Sequence, residues 1–100
     1  MIVFSDGAEA DLERIYDFNA ERDPALALEH LDAIQSAVMI LEAHPDIGRR
    51  NSPQTRLREM VISRGATGYV ALYEYFPVDD LVVIHSERHQ RETAYLPHSG

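Results

Sequence analysis

The segment LVVIHSERHQRE, residues 81–92, ends a run of β-branched residues in two histidines and two arginines. His85 and His89 are four apart, and Arg88 and Arg91 flank the second. On a helix, that spacing puts both imidazoles on one face, where they can share a metal ion. On a strand each residue advances ~3.3 Å, so the two side chains stand roughly 13 Å apart, too far for one zinc. Val82, Val83 and Ile84 favour the strand, and no third ligand stands out, so no metal is expected at this pair.

A second chemistry is RNA cleavage by attack of the 2′-hydroxyl. It needs a base, an acid and positive charge for the phosphorane-like transition state. Histidine serves as acid or base near neutral pH. His89 is a candidate for that role, Arg58, Arg88 and Arg91 for holding phosphate, and Tyr69 or Tyr73 for stacking a base or donating a proton. Nothing in the spacing makes them converge. The plainer reading is that His89 and Arg91 are polar residues at a strand end and that the tyrosines pack a sheet face. Two further clusters have plain readings. HPDIG after the second helix is a helix stop, with His44 favourable at the carbonyl end. The acidic run DGAEADLERIYD is the solvated face of the first helix. There is no phosphate-cradling glycine loop, no Ser-His-Asp arrangement and no paired carboxylates among apolar residues, and no cofactor is expected.

The elements that must position these residues are legible from periodicity. IVF at the start is a short strand. Asp6 and Glu9 resemble a capping box, and Ala8, Leu12, Ile15 and Asn19 follow a helical period, placing a first helix at about Asp6 to Arg22. Asp23 is a good N-cap and Pro24 suits a first turn. Ala27, Leu31, Ile34, Val38 and Leu41 then form one apolar stripe. Pro45 disfavours helix at the residue before it, so the second helix stops near Ala43 or His44. With so short a connection the two helices form an antiparallel hairpin, about residues 6–44.

Residues 45–55 read as a loop. The period then changes to two. In LREMVIS, Arg58, Met60 and Ile62 face one way and Leu57, Glu59, Val61 and Ser63 the other. RGATG turns into YVALYEYF, PVDD turns again, and LVVIHSE is a third strand, whose continuous apolar run Leu81–Ile84 suggests burial on both faces. Three strands joined by short turns make an antiparallel meander, at about residues 56–89. The expected fold is a two-layer α+β domain, a short strand and helical hairpin packed on the meander, with residues 93–100 as a tail.

The 100 residues suit one domain, with 45% hydrophobic and 26% charged residues and no cysteine. The N-terminus has neither the basic nor the apolar region of a signal peptide, and no run approaches a membrane span, so a cytoplasmic protein without membrane contact is expected. The net charge of −8 argues against binding DNA on its own. The charge is uneven. Residues 1–55 hold eleven acids and four arginines, and residues 56–100 hold six acids and five arginines. An anion-binding face belongs in the second half, and Arg58, Arg64, Arg88 and Arg91 are the candidate partner-binding residues. All nine permanent side-chain cations are arginine, which favours bidentate pairing with carboxylate or phosphate.

The chain also resembles a known family. The marks are A-x-x-D-L at Ala8 to Leu12, I-Y at Ile15 and Tyr16, and Leu41, Glu42, Pro45, Gly48 and Arg49 around the second helix's end. Further marks are Leu57–Arg58, Leu72–Tyr73, and H-x-R at His89 and Arg91. In this order, over Ala8 to Glu92, they resemble the ParE/RelE superfamily of toxins from bacterial type II toxin–antitoxin modules, and the ParE branch more closely. The resemblance implies a toxin neutralised by a cognate antitoxin whose C-terminal segment wraps the hairpin and sheet. It implies a ParE-like poison that binds DNA gyrase without catalysis. The alternatives are a ribosome-dependent endoribonuclease using Arg58, Tyr73, His89 and Arg91, and a non-toxic binding module. A homodimer or a toxin–antitoxin hetero-oligomer is compatible with each.

Overall fold

A computed structural model of the chain describes residues 1–50, 52–64 and 67–90, with backbone only at 63, 64 and 67. The elements are β1 (Ile2–Phe4), α1 (Asp6–Ala20), α2 (Pro24–Val38), β2 (Arg49–Arg50), β3 (Leu57–Arg64), β4 (Thr67–Phe76) and β5 (Leu81–His89). The five strands form one sheet in the order β1-β5-β4-β3-β2. The expected two-layer α+β architecture is present, with two helices on a mostly antiparallel sheet.

Local chemistry explains most of the boundaries. Ser5, not Asp6, caps α1: its hydroxyl accepts the Ala8 N–H at 3.1 Å. Asp23 caps α2 by accepting the Ala25 N–H at 3.0 Å, with Pro24 in the first turn. The apolar stripe of α2 is buried at Ala27, Ile34, Val38 and Leu41, and Leu31 is half-buried. The α-helix tightens into a 3₁₀ turn at Met39–Glu42 and stops before Pro45, as the proline requires. The hairpin lies across the sheet, with α1 packed on β5 and β1, and α2 on β3.

The meander is present with the expected faces. Met60 and Ile62 of β3 and Tyr69, Ala71 and Tyr73 of β4 point into the core, while Val61 is exposed. β4 starts at Thr67, two residues before the expected start, and residues 65–66 of the RGATG turn lie outside the described residues. So does the expected tail at 93–100.

Three features depart from expectation. The N-terminal strand joins the sheet itself, pairing in parallel with β5 from Ile2↔Val82 to Phe4↔Ile84. Within the expected loop 45–55, Arg49 and Arg50 form a two-residue edge strand against Glu59 and Arg58. And β5 is not buried on both faces: Val82 and Ile84 are buried, but Leu81 and Val83 are only half-buried. The helices cover one face of the sheet, so burial alternates along the strand in spite of its continuous apolar run.

β5 also carries a bulge. The β4 pairing steps from Leu72↔Ser86 to Tyr73↔Ile84, leaving His85 as the extra residue. A bulge re-aims the side chains beyond it. Here it puts Glu87 opposite Ala71 and His89 opposite Tyr69, on the helix-facing side, where unbroken alternation would have placed Ser86 and Arg88. Ser5 holds the bulge, its N–H donating to the Ile84 carbonyl at 2.9 Å and its hydroxyl to the His85 carbonyl at 3.1 Å.

Candidate functional site

The candidate residues fall into two groups along β4. At one end stands Tyr73, 0% exposed. Its hydroxyl donates to the Pro45 carbonyl at 2.8 Å and accepts the Gly48 N–H at 2.8 Å. Arg58, its cross-strand neighbour, donates to the carbonyls of Asp46 and Gly48 at 3.1 and 2.8 Å, and pairs with the Asp46 carboxylate at 3.4 Å. Gly48 must be glycine: a Cβ there would lie 2.5 Å from the Tyr73 hydroxyl oxygen and 2.9 Å from the Glu59 carbonyl. Burial pushes the Tyr73 phenol above its ordinary value, and the Gly48 N–H and Arg58 pull it partly back. Four marks scattered in the sequence, Pro45, Gly48, Arg58 and Tyr73, thus form one clamp that fixes the connection after α2.

At the other end of β4, Tyr69 is 3% exposed. Its hydroxyl lies 2.8 Å from His30 Nδ1 and accepts from Asn19 Nδ2 at 3.4 Å. His30 and His89 each set an edge against the Tyr69 ring, with ring centroids 5.7 and 5.5 Å apart. Asn19, His30, Tyr69 and His89 thereby meet from α1, α2, β4 and β5. His30 was not singled out from the sequence, although it lies three residues after Ala27 and four before Ile34, on the buried stripe.

Between the two groups sits a buried carboxyl pair. Asp11 of α1 accepts the Glu87 N–H at 2.9 Å, and Arg14 reaches the Glu87 carbonyl at 3.4 Å. Asp11 is 3% exposed and Glu87 1%, so the acidic run of α1 is not wholly a solvated face. Neither carboxyl oxygen of Glu87 has a hydrogen-bond partner among the described residues. Burial first, and Asp11 second, push its pKa to about 9, with Arg14 opposing. Glu87 is a neutral acid at pH 7. Its burial could not be read from strand alternation, because the bulge reverses the phase.

The proposed nuclease set is divided by this geometry. Arg58 and Tyr73 stand four residues along β4 from the row of Tyr69 and His89, about 13 Å away. Arg91 lies outside the described residues, and only the backbone of Arg64 is described. The arginine group is divided as well. Arg58 shares the helix-facing side with Met60 and Ile62, while Arg88 stands opposite Val70 on the other face. The two histidines of the opening segment likewise part: His85 reaches Glu74 at 3.3 Å on the face away from the helices, and His89 meets Tyr69 on the helix side.

A helical hairpin over a five-stranded sheet whose clamp ties the connection after α2 defines a small two-layer α+β domain, and comparisons with known proteins give its family. Residues 2–94 match the family model for the ParE toxin of the type II toxin–antitoxin system parDE. Toxin RelE3 of Caulobacter vibrioides is 39% identical over 85 residues, covering 85% of this chain and 88% of that protein. A solved structure of the chromosomal ParDE toxin–antitoxin system from P. aeruginosa superposes with a TM-score of 0.71 at 22% identity, over 88% of this chain and 92% of that one, which shows a shared fold. The chain belongs to the ParE toxin family within the ParE/RelE superfamily.

Proposed function

We propose that this ParE-family toxin acts in the cytoplasm by binding and inhibiting DNA gyrase, and that a cognate antitoxin neutralises it in a hetero-oligomeric complex. The observation that carries this reading is the separation of Arg58 and Tyr73 from His89, three of the four residues that the family resemblance suggests for a nuclease. Tyr73 and Arg58 are spent on the clamp, the phenol donating its proton to the Pro45 carbonyl and accepting the Gly48 N–H, and His89 stands on a separate row. A poison that works by binding needs no acid and base at hydrogen-bond reach of one phosphate, whereas a nuclease does. The family match and the likeness to a ParDE structure support the antitoxin partner.

A second reading, ribosome-dependent cleavage of messenger RNA, is favoured by the relative named Toxin RelE3 and by the pairing of His89 with Tyr69 at the sheet's end. Induction of the chain alone separates the two. The gyrase reading expects growth arrest with a DNA-damage response and intact messenger RNA, relieved by co-expressing the adjacent reading frame's product. Cleaved messenger RNA without DNA damage would favour the nuclease, and no arrest at all would leave a binding module.

A further inference from the structure

Glu87 is a buried titratable group that neither the clamp nor the histidine cluster uses. The bulge at His85 turns it toward the helices, where it is 1% exposed. Neither of its carboxyl oxygens has a hydrogen-bond partner among the described residues. Buried polar groups are nearly always paired, so one left over points to a role other than packing. The groups that face it come from four elements. On α1, Asp11 accepts the Glu87 N–H at 2.9 Å, and Arg14 lies 3.8 Å from the Asp11 carboxylate and 3.4 Å from the Glu87 carbonyl. On β4, Ala71 stands opposite, with Tyr69 and Tyr73 to either side on the same face. On β5 itself, His89 follows on that face and meets Tyr69, which His30 of α2 also reaches.

The two sides of Glu87 are held differently. β4 pairs with β5 from Tyr69↔His89 to Phe76↔Leu81, so parting these strands breaks a long ladder. Among the described residues, α1 and its cap meet β5 through a few hydrogen bonds: Asp11 and Arg14 at Glu87, and Ser5 at Ile84 and His85. Beside these, Ala8 and Ile15 of α1 pack in the core. A carboxylate at Glu87 would be a second negative charge beside Asp11, in a place that water does not reach. Lifting the helix admits water to it and breaks fewer bonds than parting the strands.

We infer that the protonated Glu87 carboxyl is a latch between α1 and β5, and that loss of its proton opens this seam locally while β3, β4 and β5 stay paired. Burial first, and Asp11 second, push its pKa up to about 9, and Arg14 opposes them. In the open seam water surrounds the carboxyl, and its hold on the proton returns toward the 4.5 of an exposed glutamate. Between these values the closed form holds one proton more than the open form. The latch is therefore strongest in acid, and the open population rises about tenfold with each pH unit until the closed form ionises as well. Such openings release one part of a structure while the remainder stays folded.

The test is residue-resolved amide exchange of the full chain between about pH 6 and about pH 8, corrected for the base catalysis of exchange itself and repeated in low urea. In the parent, the opening that exposes amides of Leu12 to Asn19 should grow about tenfold per pH unit and respond little to urea. Amides of β3 and β4 should exchange through a rarer opening that urea promotes strongly. Glu87→Gln should abolish the pH dependence of the α1 amides. Asp11→Asn keeps an acceptor for the Glu87 N–H and removes the like charge, so the rise should level off at a lower pH. Equal opening and equal urea response in α1 and in β3–β4 would overturn the local latch. A corrected α1 opening that does not change with pH, or a rise that survives in Glu87→Gln, would overturn the role of Glu87. Should Glu87→Gln fail to fold, an unchanged rise in Asp11→Asn has the same force.

Discussion

The two fully buried tyrosines of β4, Tyr69 and Tyr73, are alike in type, face and burial, yet they hold different kinds of surroundings. Tyr73 is saturated by backbone: one carbonyl, one N–H, and an arginine that braces the same loop. Tyr69 is surrounded by side chains, two of them histidines. The first arrangement fixes a loop through its backbone, and the second joins side chains from α1, α2, β4 and β5. Midway between them, opposite Ala71, Glu87 has neither kind of partner for its carboxyl oxygens among the described residues. A sheet face therefore grades from a structural clamp, through an unsatisfied acid, to a histidine-lined polar cluster.

The unsatisfied middle should show the largest effect. Burial pushes the Glu87 pKa to about 9, far above the 4.5 of an exposed glutamate. Between those values the folded chain holds one proton more than the unfolded chain, so stability falls as pH rises through the window. The slope from this group is at most about 1.4 kcal/mol per pH unit, or about 3 kcal/mol from pH 6 to pH 8. Urea unfolding across that range should show the decline in the parent and a flatter profile in Glu87→Gln. Parallel profiles would mean that Glu87 ionises normally.

The clamp end comes next. Tyr73→Phe leaves the Gly48 N–H and the Pro45 carbonyl without their partner and should cost about 2 kcal/mol. Gly48→Ala should cost a similar amount, about 1–3 kcal/mol, because the added carbon meets the phenol and the Glu59 carbonyl. Losses below about 0.5 kcal/mol in both would show that the clamp is dispensable. The histidine end should be the most tolerant of change. His89 is half-buried, and His89→Ala should shift stability by less than about 1 kcal/mol. Growth arrest by this variant should match the parent's, whereas abolished toxicity in a folded His89→Ala protein would point to the nuclease.

Much of this layout was legible before any coordinates. The second helix could be bounded because its cap, its proline and five apolar positions at helical spacing all agree. The meander followed from the change of period. Other features depend on pairing between distant segments, which no local pattern carries. β2 is two arginines among loop signals and becomes a strand only by lying beside β3. The parallel union of β1 with β5 joins the two ends of the described chain. The bulge at His85 decides whether Glu87 or Ser86 faces the helices, and the residue types around it do not reveal it. The site followed the same rule. Arg58, Tyr73 and His89 were recognisable as residues that could act, but their division into a clamp and a separate cluster is set by strand register.

The central claim is that the chain poisons gyrase by binding rather than by cutting RNA. Purified protein at saturating concentration, incubated with gyrase, relaxed plasmid and ATP, tests it most directly. Inhibited supercoiling with accumulation of cleaved plasmid, unchanged in His89→Ala, is the predicted result. Normal supercoiling by gyrase in the presence of folded toxin would contradict it.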